Sequence, residues 1–264
     1  MNGVKNHGVA TTLTHPPDAL RLAAVADLHC TKASRGKLRP IFARMAEDAD
    51  VLLFGGDLTD YGLPEEARIL AHELKDVRGI PMIAVLGNHD FHSGQQEEVK
   101  SILADGGLRI LDGESIEHRG VGFTGVKGFM GGFDNRMLQA WGEPGIKLIV
   151  HEAMEESLKL ETGLARLKTR HRVVVLHYAP IRATVIGEPP EIYPFLGSSR
   201  MEESLHRHRV TVVFHGHAHY GSPDGVTSDG VPVYNVALPL LKRRFPARPP
   251  YMKLDLSLRV EHAK

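Results

Sequence analysis

Six stretches of the chain are almost continuously apolar before turning polar or glycine-rich: "LRLAAVADLH" (20–29), "DVLLFGGDLTD" (50–60), "IPMIAVLGNHD" (80–90), "RVVVLHYAP" (172–180), "VTVVFHGHAH" (210–219) and "VPVYNVALP" (231–239). Runs of this length without alternation suit strands covered on both faces. Between the early runs the period changes. "KLRPIFARMAEDA" (37–49) carries an apolar stripe, and "LPEEARILAHELKDV" (63–77) opens with Pro64 and two glutamates. "SGQQEEVKSILADGG" (93–107) stops in glycines, so all three read as helices. Residues 146–169 predict another helix. Strand alternating with helix predicts βαβ units, a largely parallel sheet and the α/β class. The more alternating 115–128 and 251–260 predict antiparallel or edge strands, and a second layer of sheet fits the pattern. Residues 128–145 and 179–200 read as long surface loops. No repeat, low-complexity tract or linker interrupts the pattern, so one domain over 1–264 is the simplest organisation.

Composition narrows the function classes. Lys plus Arg and Asp plus Glu are both 32, and a net charge of zero does not mark a bulk nucleic-acid binder. Cys30 is the one cysteine, which excludes an internal disulfide and a thiolate metal cage. The N-terminal residues lack an apolar h-region, and no run approaches the roughly 20 apolar residues that span a bilayer, so the expectation is a soluble, cytoplasmic protein. Histidine is abundant, at 16 residues, and a metal site would recruit some of them.

The chemistry stands at the carboxyl ends of the predicted strands, where open α/β sheets bind ligands. The first strand ends in Asp27 and His29, the second in Asp57, and the third in Asn88, His89 and Asp90. The fourth ends in His177 and the fifth in His217 and His219. In extended backbone Asp27 and His29 would point the same way, as would His217 and His219, and each pair could reach one ion. A carboxylate such as Asp57 can bridge two cations. Asp, Asn and His without Cys suit Mn, Fe or Zn better than a soft metal. Gly55, Gly56, Gly87 and Gly216 permit close backbone approach at the strand ends.

Taken in order, "DLH", "GGDLTD", "GNHD", a lone His after a strand and "GHAH" resemble the motif set of the calcineurin-like metallophosphoesterases, over about Asp27 to His219. The resemblance implies a four-layer α/β/β/α sandwich of two mixed sheets flanked by helices, built as a single domain. It also implies a binuclear centre of two divalent or trivalent metal ions. One metal would be held by Asp27, His29, Asp57 and His219, the other by Asp57, Asn88, His177 and His217. His89 would be catalytic and Asp90 would orient it. The implied reaction is hydrolysis of a phosphate ester by a metal-bridging hydroxide. Small phosphodiesters rank slightly ahead of phosphomonoesters, and nucleic acid ranks last. A non-catalytic scaffold with the same fold is the reading from a different class.

The remaining polar residues carry plainer expectations. His215 reads as structural, Asp60 as a loop-fixing acceptor and Cys30 as packing. His92 could face the cleft or start a surface helix. Tyr61, Tyr178 and Arg182 follow ligand-bearing turns and could touch substrate. His72, His118, His151, His171, His206 and His208 read as surface or helix-face residues. So do the basic clusters 166–172 and 242–248. Trp141, Tyr193 and Phe195 in the loops could line a pocket or a homodimer contact.

Overall fold

The computed structural model describes residues 19–259. Its first half runs β1 (Ala19–Val25), α1 (Arg39–Asp48), β2 (Val51–Gly55), α2 (Pro64–Leu74), β3 (Met82–Val85), α3 (Gln96–Asp105), β4 (Leu108–Ile110), β5 (Ser115–His118) and β6 (Val121–Val126). The second half runs α4 (Pro144–Arg166), β7 (His171–Leu176), α5 (Tyr193–Leu196), α6 (Ser199–His206), β8 (Val212–His215), β9 (Asp224–Val226), β10 (Pro232–Asn235), α7 (Leu238–Arg244) and β11 (Met252–Ser257). Two sheets result, ordered β11-β1-β2-β3-β4 and β5-β6-β7-β8-β10-β9. Both are mixed. β1 to β4 are parallel and β11 closes on β1 antiparallel. β6, β7, β8 and β10 are parallel, with β5 and β9 antiparallel at the edges.

Strand periodicity explains the layering. Ala23 and Val25 of β1, with Leu52 and Phe54 of β2, pack under Phe42 and Met45 of α1, Leu70 and Leu74 of α2 and Val99 of α3. Their alternates Leu22, Ala24, Val51 and Leu53 face the other sheet, meeting Phe123, Val173, Val175 and Phe214. Beyond that sheet, Val174, Leu176 and Val213 pack under Leu160 and Leu164 of α4 and Met201 and Leu205 of α6. Helix, sheet, sheet and helix follow in order, as the resemblance implies. Fully burying one such aliphatic or Phe side chain is worth about 1.5–3 kcal/mol.

Several predicted boundaries move. The 231–239 run ends as a strand at Asn235, because Pro239 in the first turn of α7 starts a helix at Leu238. The 115–128 stretch splits: β5 is an edge strand, but β6 is buried along its whole length and has neighbours on both sides. The "loop" 179–200 contains α5 and the start of α6, and the 128–145 loop ends where α4 begins. Among the described residues, no helix is long and apolar enough to cross a membrane.

Candidate metal centre

The parallel strands of both sheets end on one side of the sandwich, and there the candidate residues converge. The convergence is not the pleat alternation that the sequence predicts. β1 stops at Val25, and Asp27 and His29 follow in left-handed backbone with φ of 56° and 43°. Asp57 (48°) and His217 (68°) adopt the same region. Left-handed backbone costs a non-glycine residue of order 1–3 kcal/mol and is characteristic of functional sites. His217 and His219 also separate: His219 turns to Asp27, His217 to His177.

Two donor groups result. In the first, Asp27, His29 and His219 bring ligand atoms within 4.8 Å of one another. His219 Nε2 lies 3.0 Å from Asp27 Oδ1 and 3.5 Å from His29 Nε2. His29 donates through Nδ1 to Asp60 Oδ1 at 3.0 Å, so its Nε2 lone pair faces inward, 3.9 Å from Asp57 Oδ2. In the second, Asp57, His177 and His217 cluster within the same 4.8 Å, and Asn88 Oδ1 stands 2.8 Å from His177 Nε2. Asp57 contacts both groups. A third cluster joins His29 and Asp57 to His89.

Close packing fixes these positions. A Cβ on Gly87 would strike the Asp57 backbone and carboxylate, and one on Gly216 would strike the Asp27 carboxylate. Glu66 accepts the N–H groups of Tyr61 and Leu63, securing the loop that follows Asp57 and Asp60.

The donor set fits cations. His177 is fully buried, and its Nδ1 donates to the Gly55 carbonyl at 2.9 Å. Burial holds its pKa well below 6.5, so Nε2 carries a lone pair. That lone pair faces Asn88 Oδ1 at 2.8 Å, acceptor against acceptor, and lies 3.4 Å from Asp57 Oδ1. Burial, then the Asp27 and Asp90 charges, push the Asp57 carboxyl up to about 9. Burial pulls His217 down to about 3. Its Nε2 donates to the Phe195 carbonyl at 3.2 Å, which leaves Nδ1 as the lone-pair atom. Burial is the largest single influence on His219 and lowers it, but the hydrogen bond to Asp27, the Asp27 charge and the Glu188 charge together raise it. A divalent cation at this point would replace the proton that burial puts on Asp57 and would meet the lone pairs of His177 and Asn88.

One expected role changes. Asp90 does not touch the His89 ring. Its buried carboxylate accepts from the N–H groups of Leu58 (3.1 Å), Thr59 (2.8 Å) and Gly87 (2.8 Å) and from the Thr59 hydroxyl (2.6 Å). It pins the second and third strand ends together. The ring is held instead by Asp60, whose carbonyl accepts from His89 Nδ1 at 2.7 Å, with its carboxylate 3.7 Å away. Asp60 therefore orients both His89 and His29. Its place three residues after Asp57 in "GGDLTD" is the sequence signal for that position.

His215 is buried between the Gly216 carbonyl and Thr184 Oγ1, 2.8 Å from each, as a structural residue. Cys30 is buried in the core, and burial pushes its thiol up to about 12. His92 is exposed, its ring 5.9 Å from that of His89. Tyr61 is exposed beside it at 6.2 Å. Tyr178 is buried, 4.4 Å from the His217 ring. Arg182 stands over the Tyr193 ring at 5.9 Å.

The sequence model of the calcineurin-like phosphoesterases matches residues 20–221, which contain every donor described above. The chain belongs to that family. Its members are hydrolases of phosphoric esters with a binuclear divalent-metal centre. Solved structures agree on the fold. A phosphopantetheinyl hydrolase from Mycobacterium tuberculosis superposes with a TM-score of 0.61 at 16% identity, covering 88% of this chain and 95% of its own. A Thermus thermophilus protein gives 0.53 at 14% identity, covering 91% and 100%. An anchor protein of the inner membrane complex of Plasmodium gives 0.52 at 11% identity, covering 84% and 72%. At these identities the likeness concerns the fold alone. No curated protein matches the chain in sequence.

Proposed function

We propose that this phosphoesterase hydrolyses a small-molecule phosphate ester, with diesters ahead of monoesters, at a centre held by Asp27, His29, Asp57 and His219 on one side and Asp57, Asn88, His177 and His217 on the other. The observation that carries the reading is Asp57, one buried carboxylate in contact with both donor groups while its neighbour His89 stands at the cleft. Two ions such as Mn, Fe or Zn would supply Lewis acidity and a water acidified toward neutral pH. The chain's own residues do the rest. The Asn88 side chain faces the second donor group and would balance charge on a phosphoryl oxygen. His89 has Nδ1 occupied by the Asp60 carbonyl, which leaves Nε2 to hand a proton to the departing oxygen. An imidazole is suited to this because its ordinary pKa lies near the working pH. Asp60 keeps that ring aimed, and Asp90 acts on the loops rather than on the proton.

The diester is ranked ahead on the family resemblance; two guanidinium groups are engaged elsewhere, and Lys127 is the cation left beside the second donor group. A monoester brings extra negative charge. Arg182 is spent over Tyr193, and Arg243 donates to the His219 carbonyl at 2.8 Å. The zero net charge supports a small substrate rather than nucleic acid. A scaffold such as the Plasmodium anchor has no evident use for an inward-facing donor set of this kind.

The test is turnover by Mn-loaded protein of the bis-(4-nitrophenyl) and mono-(4-nitrophenyl) esters of phosphate. Faster kcat/KM for the bis-ester is expected. Preference for the mono-ester would reverse the substrate class, and turnover of neither would return the chain to the scaffold reading.

A further inference from the structure

Beside the second donor group lies a groove of about 420 Å³, lined by Asn88, Phe91, Lys127, Phe129, Leu148 and Tyr178. Asn88 belongs to both, so the groove opens directly off the proposed centre. Its walls are aromatic and aliphatic, and its two charged residues are Lys127 and Glu152. Lys127 Nζ is 4.6 Å from the Phe129 ring centroid and 5.6 Å from those of Phe91 and Tyr178. An ammonium has three donors. One is taken by the Gly128 carbonyl at 2.9 Å, and the facing carboxylate, Glu152, is 3.9 Å away, beyond hydrogen-bond reach.

The lysine is held in register with the ligands. Its carbonyl accepts the N–H groups of His177 (3.1 Å) and Tyr178 (3.0 Å), and the buried Glu156 fixes the next residue through the Gly128 N–H at 2.8 Å. Tyr178 in turn lies against His217. A mostly buried ammonium with free donors, surrounded by rings and tied to a metal ligand, is poorly explained as packing. Such a group binds oxyanions strongly because water does not compete.

We propose that this groove is the leaving-group subsite: it takes an arm whose apolar or planar stem lies on Phe129 and Tyr178 and whose oxyanion, a carboxylate or a second phosphoryl group, meets Lys127. The inference rests on the phosphoesterase reading above. It makes Lys127 a specificity-determining residue and Glu152 its opponent, since Glu152 presents the same charge as the incoming group.

The test uses metal-loaded protein and two diesters with equally acidic leaving phenols, methyl 4-ethylphenyl phosphate and methyl 4-(2-carboxyethyl)phenyl phosphate. The readout is the ratio of their kcat/KM values. Lys127→Met should lower the ratio in favour of the carboxylate ester about tenfold, the scale of one lost charge-assisted hydrogen bond. Glu152→Gln, at a half-exposed helix position, should raise it. A role confined to folding would change both esters together and leave the ratio fixed. A ratio that fails to move in opposite directions overturns the proposal. Calorimetric titration of the product phenol, 3-(4-hydroxyphenyl)propionate, separates the two readings. If neither ester is hydrolysed but the phenol binds and is weakened by Lys127→Met, the hydrolytic reading falls and the groove assignment stands. If the phenol does not bind the wild-type protein, the groove assignment falls whatever the turnover.

Discussion

The five-stranded sheet and the six-stranded sheet contribute unlike halves to the proposed centre. From the ends of β1, β2 and β3 come all of its oxygen donors, Asp27, Asp57 and Asn88, along with His29, His89 and the two carboxylates that set the loops, Asp60 and Asp90. The ends of β7 and β8 supply imidazoles alone. Those of His177 and His217 are kept neutral by burial, and the same holds for their neighbour His215. The halves meet across the sandwich, at Asp57–His177 (3.4 Å) and Asp27–His219 (3.0 Å), and where Asp27 receives the His217 N–H. One sheet carries the negative charge and the other offers lone pairs. Neither constitutes a site alone.

That division can be broken first at Asp57. Asp57→Ala should lose both ions and at least about a thousandfold in turnover, the scale of several kcal/mol of metal-dependent stabilisation. His177→Ala, on the other sheet, should lose one ion. Metal counts by plasma mass spectrometry decide, and an Asp57 variant that retained two ions would end the shared-carboxylate assignment.

His89 comes next. His89→Ala should keep its metals and lose about 10²–10⁴-fold in turnover. Normal turnover would remove the proton-donor role. Asp60→Asn should cost about ten- to a hundredfold through misaimed rings. Asp90→Asn should register chiefly as a lower melting temperature, because the groups it holds are backbone donors.

The smallest effect concerns the imidazole side. His215 has a folded pKa near 4 against 6.5 for the unfolded chain. Below 6.5 the unfolded chain takes up the proton first, so the stability tied to neutral His215 is present above that value and drains as pH falls toward 4. By pH 5 this amounts to about 2 kcal/mol. Urea midpoints at pH 7 and 5, compared with those of His215→Gln, measure it. An equal slope in the variant would show that other groups carry the acid sensitivity.

The convergence of the candidate donors is legible in the sequence because each stands directly after a core strand, and strand ends in a parallel sheet share one side. The layers are legible too, since the apolar runs are long. What escapes depends on backbone turns and on contacts remote in sequence. The left-handed Asp27, His29, Asp57 and His217 cannot be read from residue types that usually avoid that region. The exchange of Asp60 for Asp90 as the ring's partner follows from a loop crossing, not from adjacency. β4 and β9, three residues each, are too short to show a period. Lys127 follows a strand whose alternation predicts an edge, so its burial among rings has no signal in the sequence.

The pairing of β1 with β11 has a temporal consequence. β1 leads into the first candidate ligands, yet one of its two neighbours is the last strand of the described fold, with Ala19 opposite Ser257. During synthesis the sheet's leading strand must therefore wait, with one hydrogen-bonding flank unpaired, until residues 252–257 have left the ribosome. Such waiting edges invite mispairing with other chains. Crowded expression or truncation within Met252–Ser257 should then tell first on yield of native protein, before any effect on turnover by the molecules that fold.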